Sequence, residues 1–203
     1  MNQHDYPRML AWLEKQGKKD FGEHFHFTDE DLPNITRMLA YFIDDKATAE
    51  SFQIDLNKGI LLSGPVGCGK TSLMTLMRYV PQGNKKFFMK TCRNVSFEFI
   101  KDGYDVINKY SYGQFSHNEF KNYCFDDLGV EKNFKYFGNE CNVMAEILLS
   151  RYDIFTSKRI FTHITTNLSA SEIESAYGNR VRSRLRELCN LIAFDNSAAD
   201  KRK

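Results

Sequence analysis

No apolar run in this 203-residue sequence is longer than a few residues, so no segment is long enough to cross a bilayer as a helix. The opening MNQHDYPRML has no apolar core of the kind a secretory signal needs, and a cytoplasmic protein is expected. An excess of one charge is also missing. The formal net charge is +2, so no global field demands a nucleic-acid or membrane partner. The five cysteines, Cys68, Cys92, Cys124, Cys141 and Cys189, are odd in number and form no C-x-x-C pair. That spacing excludes a disulfide framework and a zinc site, and leaves reduced thiols as the expectation. Internal repeats and low-complexity tracts are absent, which argues against an array or a disordered chain.

What is present suits one α/β domain, with 42% apolar residues to build its core. Residues 1–50 read as a helical N-terminal extension and residues 51–203 as the main domain. A first helix is expected over Arg8 to Gln16. A second follows Thr28 as cap, with Leu32, Ile35, Leu39, Phe42 and Ile43 at helical spacing and Pro33 in the first turn. Trp12 and the cluster Phe21, Phe25 and Phe27 are expected to pack on the main domain, with a partner surface as the alternative.

From Lys58 the pattern changes to short apolar runs alternating with amphipathic stretches. Runs at 59–63, 86–92, 122–127, 159–166 and 190–194 read as five strands. Helices are expected near 71–80, 94–110, 142–156 and 170–177, the last ending at Gly178. This alternation predicts a five-stranded, largely parallel sheet with helices on both faces. Such sheets bind ligands at the carboxyl ends of their strands.

GPVGCGKT (64–71) stands at the first of those ends and matches G-x-x-x-x-G-K-[ST]. It follows the strand GILLS and opens a helix striped by Leu73, Leu76, Met77 and Val80, the context that makes the motif specific. In this pattern the backbone of Gly64, Pro65, Val66, Gly67, Cys68 and Gly69 curls around phosphates. The helix N-terminus at Lys70, Thr71 and Ser72 adds its dipole. Lys70 would reach the β- and γ-phosphates of ATP, and the Thr71 hydroxyl would bind Mg²⁺. No L-S-G-G-Q-like signature follows, which argues against a transporter ATPase.

Downstream, YCFDDLG (123–129) is an apolar strand ending in two carboxylates, 56 positions after Lys70. Asp126 is assigned to the metal and Asp127 to the attacking water, with Glu131 as an alternative base. HITTNLSASE (163–172) reads as a buried strand, then Ser169 as N-cap with Glu172 as its capping-box partner. Thr166 and Asn167 therefore stand at a strand end beside Asp126, where the Asn167 amide can hold the water or the γ-phosphate. In YGNRVRSRLRELC (177–189), Val181, Leu185 and Leu188 form the core stripe. Arg180, Arg182, Arg184 and Arg186 lie off it, and at least two of the four are expected to be plain solvated surface. An arginine here is suited to act on the γ-phosphate of a neighbouring subunit.

Taken together, GPVGCGKT, YCFDDLG, ITTNLS and YGNRVRSRLREL resemble the AAA+ ATPases of the DnaC/IstB type, bacterial and phage helicase loaders and transposition helpers. The resemblance runs from about Lys58 to Arg202. It implies a P-loop AAA+ core, ATP-dependent homo-oligomers, single- or double-stranded DNA, and a replicative helicase or transposase as partner. It also implies that Arg184 is the arginine finger and that Arg202 falls where a second sensor arginine is usual. Two departures are expected: a shorter N-terminal region than the loaders' helicase-binding domain, and no clear C-terminal lid. Lys85, Lys86, Lys90, Arg93, Lys101 and Lys109 flank the second strand as a candidate DNA face. Two other functions stay open, a nucleotide switch with negligible hydrolysis and a small P-loop kinase.

Overall fold

The computed structural model describes residues 5–81, 83–113, 120–131, 134–136, 139–195 and 197–201. Arg202 lies outside them. Strands β1 (Gly59–Ser63), β2 (Phe88–Thr91), β3 (Tyr123–Leu128), β4 (Phe134–Tyr136), β5 (Asn139–Cys141), β6 (Thr162–Thr166) and β7 (Cys189–Ala193) form two sheets. Five make one sheet in the order β2-β3-β6-β1-β7, and every pairing in it is parallel. β4 and β5 form a separate antiparallel pair that the sequence pattern did not predict. The expected strand at 159–166 starts three residues late for a local reason. The preceding helix runs to Lys158 and ends on Arg159 in the left-handed conformation (φ 55°), so the chain has to turn before it can extend.

The helices are α1 (Tyr6–Phe21), α2 (Leu32–Phe42), α3 (Lys46–Ser51), α4 (Lys70–Met77), α5 (Cys92–Asp102), α6 (Asp105–Ser111), α7 (Val143–Lys158) and α8 (Ala170–Leu188). The single helix expected over 94–110 is two, because Gly103 at φ 60° closes α5 and restarts the chain. Helix α8 leaves helical geometry at Gly178, as expected, and resumes beyond it. The capping box of Ser169 and Glu172 is present. Thr28, by contrast, does not cap α2. The helix starts at Leu32, and the Thr28 N–H and hydroxyl both donate to Asp31 Oδ2 at 2.9 Å. Asp31 therefore closes the preceding turn instead of waiting for a cap upstream of it.

Two apolar cores lie on the two faces of the sheet, as strand alternation requires. Ile60 and Leu62 of β1 and Cys124 of β3 belong to one, with Leu13, Ile35 and Leu39 of the first two helices and Leu73 and Leu76 of α4. Leu61 and Phe125 face the other, with Val95, Phe99, Ile147, Leu148, Val181 and Leu185. The first helices thus share a core with β1 and α4. All five cysteines are free and buried. No helix among the described residues is long and apolar enough to cross a membrane.

Arg151 on α7 is fully buried and fastens the end of the sheet remote from the phosphate loop. Its guanidinium donates to Thr162 Oγ1 (2.7 Å) and to the carbonyls of Tyr110 (2.8 Å), Phe161 (2.8 Å) and Lys121 (3.1 Å). Burial pushes its pKa down to about 10, which still leaves it charged at neutral pH. The fork of donors makes this possible: four oxygens replace the water a buried cation has lost.

Candidate functional site

The site forms where β1, β3 and β6 end. Past Ser63 the loop turns through two glycines in the left-handed region, Gly67 (φ 84°) and Gly69 (φ 96°), and enters α4 at Lys70. A side chain at either glycine would strain the backbone. At Gly67 a Cβ would also lie 2.1 Å from the Asp200 carboxylate. The Lys70 side chain is folded under the loop, with Nζ donating to the carbonyls of Gly64 (2.8 Å) and Pro65 (2.7 Å). Cys68 Sγ is 3.7 Å from the same nitrogen.

Lys70 opens α4, and the next residue joins the loop to β3. The Thr71 hydroxyl lies 3.0 and 3.2 Å from the two carboxylate oxygens of Asp126. Asp126 is 4% exposed and accepts a second hydroxyl, from Thr165 on β6, at 2.6 Å. Burial raises its pKa above the usual carboxylate value, while the Thr165 and Thr71 hydrogen bonds pull it back. A carboxylate held dry by neutral donors, beside a helix N-terminus, is suited to a hard cation. Among the described residues no group of three or more His, Cys, Asp or Glu could hold a metal ion.

Asp127 sits in the left-handed region (φ 56°) and lines the cleft beside the loop. Asn167, the first residue after β6, is exposed and lines the same cleft. Thr166 does not. It is fully buried, donating to the Leu128 carbonyl at 2.7 Å and accepting the Leu168 N–H at 3.1 Å. Glu131 is tied elsewhere, since it takes the Gly129 N–H at 2.9 Å and the Tyr177 hydroxyl. Of the two acids considered for the water, Asp127 is the one at the cleft.

Arg184 lies away from this cleft. Its guanidinium sits 4.0 Å over the Tyr152 ring and pairs with Glu187 at 3.2 Å. Arg182 pairs with Glu174. Arg180 and Arg186 are exposed and make no ion pair among the described residues. The candidate DNA face needs one correction. Lys85 is 2% exposed, pairs with Asp44 at 2.6 Å and lies 4.0 Å over the Tyr41 ring, so it belongs to the interior. Lys90 and Lys109 share Glu98, at 3.7 and 2.7 Å.

The cleft has a volume of about 720 Å³, and its far wall was missed by sequence reasoning. Phe21, Phe25 and Phe27 line it, with ring centroids 5.4 and 5.3 Å apart along the series, and pack on the first core. Gly17 makes room for this wall: a Cβ there would lie 2.2 Å from the Phe25 ring. The aromatic alternation F-G-E-H-F-H-F directly before α2 was the available signal. The segment after β7 lines the cleft as well, and there the Lys201 N–H donates to the Gly67 carbonyl at 3.1 Å. Nothing local in DNSAADKRK pointed to that contact.

No protein-family model matches the chain, and no curated protein matches it. Solved structures do. The chain is similar to the crystal structure of the DnaC helicase loader, at 19% identity over 68% of this chain and 79% of that one, with a TM-score of 0.50. It is also similar to the crystal structure of DnaI, at 17% identity over 85% of this chain and 89% of that one, with a TM-score of 0.56. Identities this low speak for the fold. With its parallel sheet and its loop at the end of β1, the chain has the P-loop AAA+ fold, the one that the DnaC/IstB resemblance implies.

Proposed function

We propose that this chain is a cytoplasmic, Mg²⁺-dependent ATPase that assembles with copies of itself and works on DNA as a helicase-loader-like or transposition-helper protein. The observation that carries the reading is the contact of Thr71 with Asp126, which brings the start of α4 and the end of β3 to one point. In this reading residues 51–203 are the ATPase core, and residues 1–50 lend it the aromatic wall that faces the nucleotide base.

The loop from Gly64 to Ser72 cradles the phosphates with backbone N–H groups, and Lys70 swings from the loop carbonyls to phosphate oxygens. Thr71 and Asp126 would hold Mg²⁺, which would supply positive charge against that of the phosphates. Asp127 orients and deprotonates the attacking water, and Asn167 fixes its position. Arg184 of a neighbouring copy stabilises the charge that develops on the transferred group.

DNA is supported by the solvent side of α5. Arg93 lies 5.3 Å over the Phe97 ring, and the exposed Ile100 and Lys101 continue the same side. Cations beside aromatic rings suit a single strand, whose phosphates and bases both find partners. A replicative helicase or a transposase is the protein partner in this reading.

Phosphate release from ATP, measured with Mg²⁺ or with chelator, and with and without single-stranded DNA, tests the whole. Turnover that needs Mg²⁺ and disappears in Lys70→Ala is expected. Binding without turnover leaves a nucleotide switch. Turnover that persists in Lys70→Ala overturns the site.

A further inference from the structure

Asp126 and Asp127 are neighbours on a strand, and neighbours on a strand point to opposite faces. Yet one meets Thr71 and the other lines the cleft. The ladder between β3 and β6 explains how. It runs from Phe125 opposite Ile164 to Leu128 opposite Thr166, so β3 spends one residue more than β6 across this step. The extra residue makes a bulge, which frees the Asp127 N–H from regular pairing. That N–H donates to Thr165 Oγ1 at 2.9 Å, and the same hydroxyl donates to Asp126 Oδ1 at 2.6 Å. Thr165 is fully buried, so no water replaces it in either bond.

We propose that Thr165 is the positioning residue that turns two adjacent carboxylates toward one site. One hydroxyl, using its proton on Asp126 and its lone pair on Asp127, sets both. The proton aims the Asp126 carboxylate at Thr71. The lone pair holds Asp127 in the left-handed turn, a conformation that a non-glycine residue keeps only where its surroundings impose it. Thr165 does not line the cleft and acts through the two acids. The inference rests on the ATPase reading above.

The test compares wild type with Thr165→Val, which keeps the shape and loses the hydroxyl, and Thr165→Ser, which keeps the hydroxyl. Turnover, its Mg²⁺ half-saturation and the melting temperature without nucleotide are read for each. Thr165→Val is expected to lower kcat and raise the Mg²⁺ half-saturation by roughly 10- to 100-fold, the range for groups that orient metal ligands. Thr165→Ser should restore both to within about threefold, a rescue that a packing role would not produce. Where Thr165→Val does not fold, Thr165→Ala against Thr165→Ser makes the same comparison, because both remove the methyl and only one removes the hydroxyl. Equal activity of the hydroxyl-bearing and hydroxyl-free variants overturns the inference. So does a Thr165→Ser protein that folds but is as impaired as Thr165→Val. If wild type itself shows no turnover, hydrolysis fails instead, and the inference is read on Mg²⁺-dependent stabilisation by ATP.

Discussion

Lys201 reaches Asp31 across 170 positions of sequence, its Nζ 2.5 Å from both carboxylate oxygens. Asp31 is buried at the start of α2, and the backbone of Lys201 is bonded to Gly67 of the phosphate loop. The pair therefore clasps the segment after β7 over the rim of the cleft. In Lys201→Met the rim should open: release of a fluorescent ATP analogue is expected to quicken several-fold. The melting temperature should fall by about 1–4 °C, as a part-exposed pair worth up to about 1 kcal/mol implies for a chain of this size. Unchanged release kinetics in stopped flow would show that the clasp does not govern the cleft.

Asp126 and Asp127 should fail in different ways. Asp126→Asn removes the charge that faces the cation, so stabilisation by ATP is expected to lose its dependence on Mg²⁺. Asp127→Asn should keep that stabilisation and lose turnover by about 100-fold or more, as for a general base. Glu131→Gln, altering a residue committed to Gly129 and Tyr177, should retain turnover. Phosphate release and melting curves on the three variants decide it, and a dead Glu131→Gln with an active Asp127→Asn would reverse the assignment.

No arginine of α8 lines the cleft of its own chain, and the proposed function takes Arg184 from a second copy. Arg184→Ala should bind ATP and turn it over about 10³-fold more slowly. Mixed with Lys70→Ala, whose own site is dead but whose Arg184 is intact, it should recover part of the activity and lose it again on dilution. Failure to recover in mixtures shown by mass to contain both variants would place Arg184 outside any shared site. A fully active Arg184→Ala would make Arg180, exposed two residues past Gly178, the next arginine to substitute.

His163 makes folding stability sensitive to mild acid. It is fully buried among Tyr41, Phe42 and Phe87, with Nδ1 accepting the Ile60 N–H at 3.1 Å. Burial first, then the nearby Arg151 and Lys85 cations, lower its pKa from 6.5 to about 3. The unfolded chain binds this proton below pH 6.5 and the folded chain does not. Stability is therefore complete above that pH and is lost as pH falls toward 3, by at most about 1.4 kcal/mol per pH unit from this group. Urea midpoints at pH 7.5, 6.0 and 5.0 should decline in wild type. His163→Asn, which keeps an acceptor for Ile60 and has no proton to gain, should show a shallower decline. Equal slopes would assign the acid sensitivity to other groups.

The sequence by itself determined the five strands of the parallel sheet and the phosphate loop. GILLS before GPVGCGKT reads as a strand feeding a loop and helix, because a short apolar run, the loop glycines and a helix start act within a few residues of one another. The same local rules marked the acidic end of β3 and the Ser169 capping box. They also missed locally where two local signals competed: Gly103 split a helix that its flanks supported, and Asp31 took the Thr28 donors that a cap would have used. Tertiary structure alone decided who meets at the cleft. Thr165 finds Asp126 from 39 positions away, the aromatic wall of residues 21–27 faces a loop 39 or more positions on, and Lys85 left the basic face for Asp44 and the Tyr41 ring. The reason lies in the order β2-β3-β6-β1-β7, in which spatial neighbours are distant in sequence. Hydrogen bonds and ring packing act only at contact distance, and in a parallel sheet the crossovers, not the spacing of residues, choose the contacts.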